Sequence, residues 1–281
     1  MVSRGADVRK KKSVAIGFRD VDRASHPEAF VKYLDAVTGV EAAQAYKRRS
    51  YGLLHLRPGH HVLDVGCGTG DDVRAMAERV YPDGRAIGID SSEVMIAEAK
   101  KRSKGLSLPV EFRVAAAAEL PFADDSFDAT RSERLFQHLD DPNPALSEMI
   151  RVTRSGGRVS VLDPDWETVV IDSPDPRLTR KILLASLDTH VNPWSGRQLF
   201  ALFHAAGLRE IEVLPVTIPV LDFSVAEPVL ELRKCVETAV KKRVISSAEG
   251  LQWLRELEER DRAGRFFSSI TGFGLFATKP S

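Results

Sequence analysis

The chain has 281 residues, with 40 basic and 40 acidic side chains and a formal net charge of zero. That length suffices for a large buried core, and the balanced charge supplies no global field drawing the chain to nucleic acid or an acidic membrane surface. Two cysteines, no signal-like start and no long apolar run predict a reduced, cytoplasmic chain without membrane insertion, and they argue against a metal cluster.

Residues 1–13 are polar and end in Arg9-Lys10-Lys11-Lys12, which reads as a disordered tail rather than a nucleic-acid arm. His26-Pro27 opens a helix to about residue 36, with Phe30, Tyr33, Leu34 and Val37 clustered, and a second helix over about 40–55 carries Tyr46, Tyr51 and Leu54. Residues 62–70 then read Val-Leu-Asp-Val-Gly-Cys-Gly-Thr-Gly. This is an apolar strand with an acid in its last turn, followed by glycines at every second position. From Asp71 an amphipathic helix follows, with Val73, Met76, Ala77 and Val80 on one face. Strand, glycine turn and helix start form a site for a small ligand. The backbone can approach closely, free N–H groups favour anionic groups, and Asp64 suits a cationic one. The spacing Gly66-x-Gly68-x-Gly70 is neither the dinucleotide-binding nor the P-loop pattern.

The segment Asp64-Val-Gly-Cys-Gly-Thr-Gly70 resembles motif I of class I S-adenosylmethionine (SAM)-dependent methyltransferases. Downstream, over roughly residues 54–207, the pattern is most similar to the branch that holds ubiquinone/menaquinone-biosynthesis and natural-product enzymes. The resemblance implies SAM as cofactor, S-adenosyl-L-homocysteine (SAH) as product, and contacts from Asp64, Gly66, Cys67, Gly68 and Gly70. It also implies that helices before motif I cover the active site. Tyr33, Tyr46 and Lys47-Arg48-Arg49 thereby become candidate ligand contacts, with aromatic core and a solvated basic face as the competing reading.

Residues 85–90 form a second buried strand ending at Asp90, twenty residues past Gly70, the distance at which a carboxylate can accept both ribose hydroxyls. A surface Asp capping the next helix is the alternative. Ser91-Ser92 offers N-cap chemistry, and Met95 on the first turn covers an adenine ring. A third strand at 110–114 leads into Ala115-Ala-Ala-Ala-Glu-Leu-Pro-Phe122. In the resembling proteins an Asp stands at the position of Ala116 and accepts from the adenine amine. Its absence removes one hydrogen bond, about 1 kcal/mol, and leaves adenine to the backbone at Ala116 and Ala117 and to packing. A fourth strand at 126–131 precedes a helix opened by Asp141-Pro142 and bearing Leu146, Met149 and Ile150. The resemblance implies that backbone near Arg131 and Ser132, and a side chain near Gln137, face the methionine portion. His138 is the leading titratable candidate at the reacting centre; a buried histidine bonded to backbone is the competing reading.

Arg154-Ser-Gly-Gly157 turns into a fifth strand over 158–162, ending at Asp163-Pro-Asp165-Trp166. Residues just past the carboxyl ends of parallel strands line the ligand crevice. Asp163 and Asp165 are therefore substrate-side candidates, and Trp166 can wall an aromatic or isoprenoid acceptor; a helix cap and a core tryptophan are the alternatives. Helices are predicted over 175–190 and 196–206, from which His190, Trp194 and Arg197 can reach the crevice while His204 packs. A sixth strand over 208–216 is followed by helices at 224–240 and 248–262, and 265–278 is the final strand. The roughly 40 residues between the last two strands read as a lid, with surface decoration or a dimer contact as alternatives.

The resemblance implies an α/β, doubly wound, seven-stranded Rossmann-like sheet of order 3-2-1-4-5-7-6, the last strand antiparallel. One domain is expected over 14–281: cap helices 14–56, core 57–220, helical lid 222–263 and final strand 265–278. The implied activity is methyl transfer to oxygen, nitrogen or carbon of a small, apolar metabolite, aromatic or isoprenoid, in secondary metabolism. His138 with Asp163 is the expected acid–base pair, and Tyr33, Tyr46, Asp165, Trp166 and Arg197 are the expected acceptor contacts. Alternatives are a silent SAM-binding module, a protein methyltransferase, or a nicotinamide-dependent oxidoreductase, the last disfavoured by the glycine spacing. Base methylation lacks its Asn/Asp-Pro-Pro-Tyr/Phe signature after the fourth strand, where Ser132-Glu-Arg-Leu stands. Monomer and homo-oligomer both stay open.

Overall fold

Apolar segments alternating with amphipathic helices pair here into one sheet of order β3-β2-β1-β4-β5-β7-β6, the order expected. The computed structural model describes residues 17–39 and 41–281, so the tail expected at 1–13 lies outside them. The strands are β1 His61–Val65, β2 Arg85–Asp90, β3 Val110–Val114, β4 Phe127–Glu133, β5 Thr153–Ile171, β6 Arg209–Val220 and β7 Ser268–Thr278. The first five pair in parallel, and β7 runs antiparallel between β5 and β6. Helices cover both faces, as a parallel sheet requires. Glu41–Leu53, Asp71–Val80 and Glu93–Ser103 lie on one side, around Val62, Met76 and Phe276. Asn143–Val152 and Ser195–Ala205 lie on the other, around Leu63, Phe136 and Phe203.

The helix after the glycine turn buries Val73, Met76, Ala77 and Val80, as its periodicity predicts. The helix predicted over 224–240 is instead two, Phe223–Leu230 and Leu232–Lys241, broken where Glu231 takes φ 48°. Together with Pro176–Leu187 and Ser247–Arg262 they close around the fully buried Trp253. β5 also departs from expectation. It does not end at Leu162 but runs on to Ile171, with its pairing to β7 interrupted between Asp165 and Val170. Among the described residues no helix is long and apolar enough to cross a membrane.

Candidate active site

The turn after β1 opens onto a cavity of about 530 Å³. Gly66, Gly68 and Gly70 have φ of 78°, 50° and 78°, the left-handed region where side-chain-bearing residues are strained. At Gly70 the demand is also steric, since a Cβ would lie 2.6 Å from Phe112. The amides of the turn are not free as expected. Gly66 and Cys67 both donate to the Ile89 carbonyl at 2.8 Å, Gly70 donates to Cys67 at 2.9 Å, and the Gly68 N–H donates to Asp90 Oδ2 at 3.0 Å. Asp71 and Asp72 already occupy the first turn of the helix, where the backbone dipole favours an anion. The turn therefore suits an uncharged nucleoside edge rather than a phosphate.

Asp90 stands at the end of β2 with one oxygen accepting from Gly68 and the other from the Ser92 N–H at 2.9 Å. Each oxygen has capacity for a further hydrogen bond, and Asp90 lines the cavity. Burial pushes the Asp90 carboxyl up from its ordinary value, against the hydrogen bonds that favour its charge. Ser91, Met95, Ala116 and Ala117 line the same half of the cavity. Ser92 caps the helix Glu93–Ser103 by accepting from Met95 N, as predicted. A nucleoside fits these residues: a carboxylate with free lone pairs, a thioether wall and a backbone edge without side-chain bulk.

The segment over this half falls within the cap expected at 14–56, but its 3-10 form and its latch were not read from the sequence. A 3-10 helix, Phe18–Arg23, brings Phe18, Arg19 and Val21 over the cavity. It is latched by Asp22, which accepts from Ser92 Oγ at 2.5 Å and from the Glu93 N–H at 2.8 Å. Arg19 meets Asp140 across the rim. No local pattern announces these contacts, because the partners are about 70 and 120 residues away.

Beneath the cavity lies a buried ionic network. Lys47 binds both oxygens of Asp72, at 2.8 and 2.6 Å, and reaches Glu133 at 3.3 Å. Arg131 contacts Asp72 at 3.0 Å, Asp64 at 3.4 Å and Glu133. The Tyr46 hydroxyl donates to Glu133 and the Tyr51 hydroxyl to Asp72. Burial pushes the Asp64 carboxyl up to about 7, against the pull of Arg131. Burial likewise opposes charge on Asp72, but Arg131 and Lys47 outweigh it and hold that carboxyl below its usual range.

This network corrects the expectation for Asp64, and the side chains of Arg131 and Ser132 are engaged away from the cavity wall. Asp64 and Arg131 are cross-strand neighbours in the β1–β4 ladder, so their side chains meet on one face and neutralise each other short of the cavity wall. Ser132, on the opposite face, donates its hydroxyl to the Val65 carbonyl at 2.8 Å. The cavity wall from this segment is Glu133, Arg134, Leu135, Gln137 and His138. Of the basic trio, Lys47 lines the cavity while Arg48 and Arg49 are exposed.

Strand alternation corrects two more. Because β5 stays extended, Leu162, Pro164 and Trp166 line the cavity while Asp163 and Asp165 point to the other face. Asp163 accepts from the Gln137 N–H at 2.5 Å and from Ser195 Oγ at 2.6 Å, and burial pushes its carboxyl up to about 7. It does not meet His138. Asp165 is buried against Arg197, whose Nη2 donates at 2.8 Å, so neither residue reaches the cavity. His138 does line it, beside the Phe18 ring at 5.6 Å. Burial, helped by the charge of Arg134, lowers His138 to about 3, so the imidazole is neutral at physiological pH. Gln137 braces Trp166, accepting from its indole N–H at 2.8 Å. His190 packs on Trp166 at 4.7 Å between centroids, and Trp194 donates to Glu167 rather than entering the cavity.

The far half of the cavity is walled by Tyr33, Tyr46, Trp166, Val216, Ile218 and Ile270. Val229, from the helices between β6 and β7, also lines it. The expected aromatic contacts Tyr33, Tyr46 and Trp166 thus come together. The aliphatic wall from β6 and β7 was not foreseen.

A methyltransferase-domain family model matches residues 56–195. The chain is 38% identical over 248 residues to an uncharacterized 37.1 kDa protein in a transposon, TN4556, of Streptomyces fradiae, covering 88% of this chain and 70% of that one. It is 30% identical over 200 residues to demethylmenaquinone methyltransferase of Bacillus cytotoxicus, covering 66% of this chain and 84% of that protein. In fold it is similar to phosphoethanolamine N-methyltransferase 2 of Haemonchus contortus in complex with SAM. The TM-score is 0.60 at 20% identity, over 94% of this chain and 60% of that one.

Proposed function

The chain belongs to the class I SAM-dependent methyltransferases that act on small molecules, and we propose that its acceptor is an apolar metabolite, aromatic or isoprenoid, seated against Trp166. The reading rests on the far half of the cavity, where Trp166, Tyr33 and the aliphatic residues of β6 and β7 form a wall suited to a desolvated ring or chain.

In this reading Asp90 accepts the ribose hydroxyls, Met95 covers the adenine and the backbone of Ala116 and Ala117 borders its edge. When bound, SAM supplies a methyl group on a sulfonium, which passes to an acceptor lone pair as the carbon–sulfur pair returns to sulfur. The chain's own work is alignment and exclusion of water. Phe18 and Val21 roof the cofactor half, and the helices between β6 and β7 act as a lid over the acceptor half. Gln137 holds Trp166 in place. His138, neutral and partly desolvated, offers a hydrogen-bond acceptor but is a weak base. An acceptor that arrives already acidic suits such a site.

The test is turnover of methyl-labelled SAM with prenylated phenols and hydroxylated arenes, set against small polar amines. Apolar acceptors are expected to be methylated, and Trp166→Ala to raise their KM about tenfold, the scale of a lost aromatic contact. Turnover confined to the polar amines, unaffected by Trp166→Ala, would reject the assignment.

A further inference from the structure

Arg134 is the charged residue in the cavity wall that the foregoing roles leave without a task. It follows directly on β4 with φ 57°, a left-handed conformation that costs a side-chain-bearing residue about 1–2 kcal/mol. The conformation is held from both sides. The Arg134 N–H donates to the Leu162 carbonyl at 2.8 Å, and Leu135 packs over Gly66. Its consequence is that Arg134 leaves the alternation of β4, which would place it on the face of Ser132, and lines the cavity beside Glu133.

Among the described residues the guanidinium has no carboxylate within hydrogen-bond distance there. Its nearest anion is Glu133, with Nε to Oε1 at 3.9 Å, beyond hydrogen-bond distance. Glu133 is already engaged by Tyr46, Lys47 and Arg131. Arg134 Nε is buried without a hydrogen-bond partner. Lys47 and Arg131 take up the carboxylates of Asp64, Asp72 and Glu133, and Arg134 reaches Glu133 only at 3.9 Å. Beside it in the same cavity, Tyr33 carries a hydroxyl that no group of the described residues accepts from or donates to. Burial raises that hydroxyl to about 12, so it stays protonated and is a donor. Both donors line the cavity that Trp166, Val216 and Ile218 also line, and for the buried Arg134 Nε a missing partner is costly.

We propose that Arg134, with the Tyr33 hydroxyl, anchors an anionic oxygen on an otherwise apolar acceptor. That oxygen is a carboxylate, phenolate or enolate. The inference rests on reading this half of the cavity as the acceptor chamber. A guanidinium pairs with such an oxygen more strongly than a neutral donor does, and an anionic acceptor also complements the positive sulfonium alongside which it must lie. The same chemistry is present in the cofactor's own carboxylate, so the experiment separates the two sources.

The SAH-saturated protein is titrated calorimetrically with 1-naphthoate and with its neutral counterpart 1-naphthylmethanol. Naphthoate is expected to bind about tenfold more tightly, Arg134→Gln to abolish that preference, and Arg134→Lys to keep part of it. SAH affinity of Arg134→Gln within about threefold of wild type certifies the fold and the cofactor half. Naphthylmethanol binding as tightly as naphthoate, or a preference that survives Arg134→Gln, overturns the anion anchor while leaving the apolar chamber intact. Failure of both probes to bind overturns the chamber reading and the anchor with it. A loss of SAH affinity of tenfold or more in Arg134→Gln, without a naphthoate preference in wild type, reassigns the guanidinium to the cofactor carboxylate and also overturns the proposal.

Discussion

Replacing Asp90 by Asn probes the sugar-binding role most directly. In the free protein each carboxylate oxygen accepts one backbone N–H, Gly68 at 3.0 Å and Ser92 at 2.9 Å, and retains a lone pair for a hydroxyl. Asn keeps one acceptor and turns an NH2 group towards one of those N–H groups. One ribose bond is lost, the other loses its charge assistance, and a donor confronts a donor. Hydrogen bonds to charged groups contribute about 1.5–3 kcal/mol each. Asp90 is only partly buried, so the lower part of the range applies: about 2 kcal/mol, or roughly 30-fold in affinity. Calorimetry with SAH measures it, and the 2′-deoxy form of SAH closes the cycle. Wild type should discriminate against the deoxy ligand, and Asp90→Asn should not. SAH affinity within about threefold of wild type in a folded Asp90→Asn protein, with deoxy discrimination intact, would refute the reasoning.

The ionic floor, the glycine turn and the buried Asp163 each carry a further expectation. Lys47→Met leaves Asp72 and Glu133 short of a buried cation and should cost about 3–5 kcal/mol in urea unfolding. Gly70→Ala should cost about 2–4 kcal/mol, the sum of left-handed strain and overpacking against Phe112, whereas Gly105→Ala, at φ 83° with nothing within 4 Å of the new Cβ, should cost only the strain of about 1 kcal/mol. Asp163 is raised from 3.8 to about 7, so the folded state holds its proton more tightly than the unfolded chain. Its stabilising contribution is complete below about pH 4 and is lost as pH rises through 7. Asp163→Asn lacks that dependence, and its stability relative to wild type should improve by roughly 1–3 kcal/mol between pH 5 and pH 8. A constant difference across that range would contradict the direction of the shift.

Local pattern determined a good deal of this protein by itself. The run Asp64 to Gly70 and the helix face Val73, Met76, Ala77 and Val80 are short-range features, so strand, turn and helix could be read from spacing alone. Asp90 and Ser92 follow from the same logic, since the end of a parallel strand and the start of the next helix are set by the adjacent sequence. Which way each acid points was another matter. Asp64, Asp163 and Asp165 sit at strand ends and read as ligand contacts, yet their cross-strand and cross-layer partners Arg131, Ser195 and Arg197 draw them away. The length of β5 decided the last two, because an extended strand alternates its faces for as long as β7 pairs with it. Pairing register, the roof provided by Phe18–Arg23 and the inward turn of Arg134 depend on residues distant in the chain. Only the folded sheet brings those partners together, and so the tertiary structure alone decided which charges face the ligand.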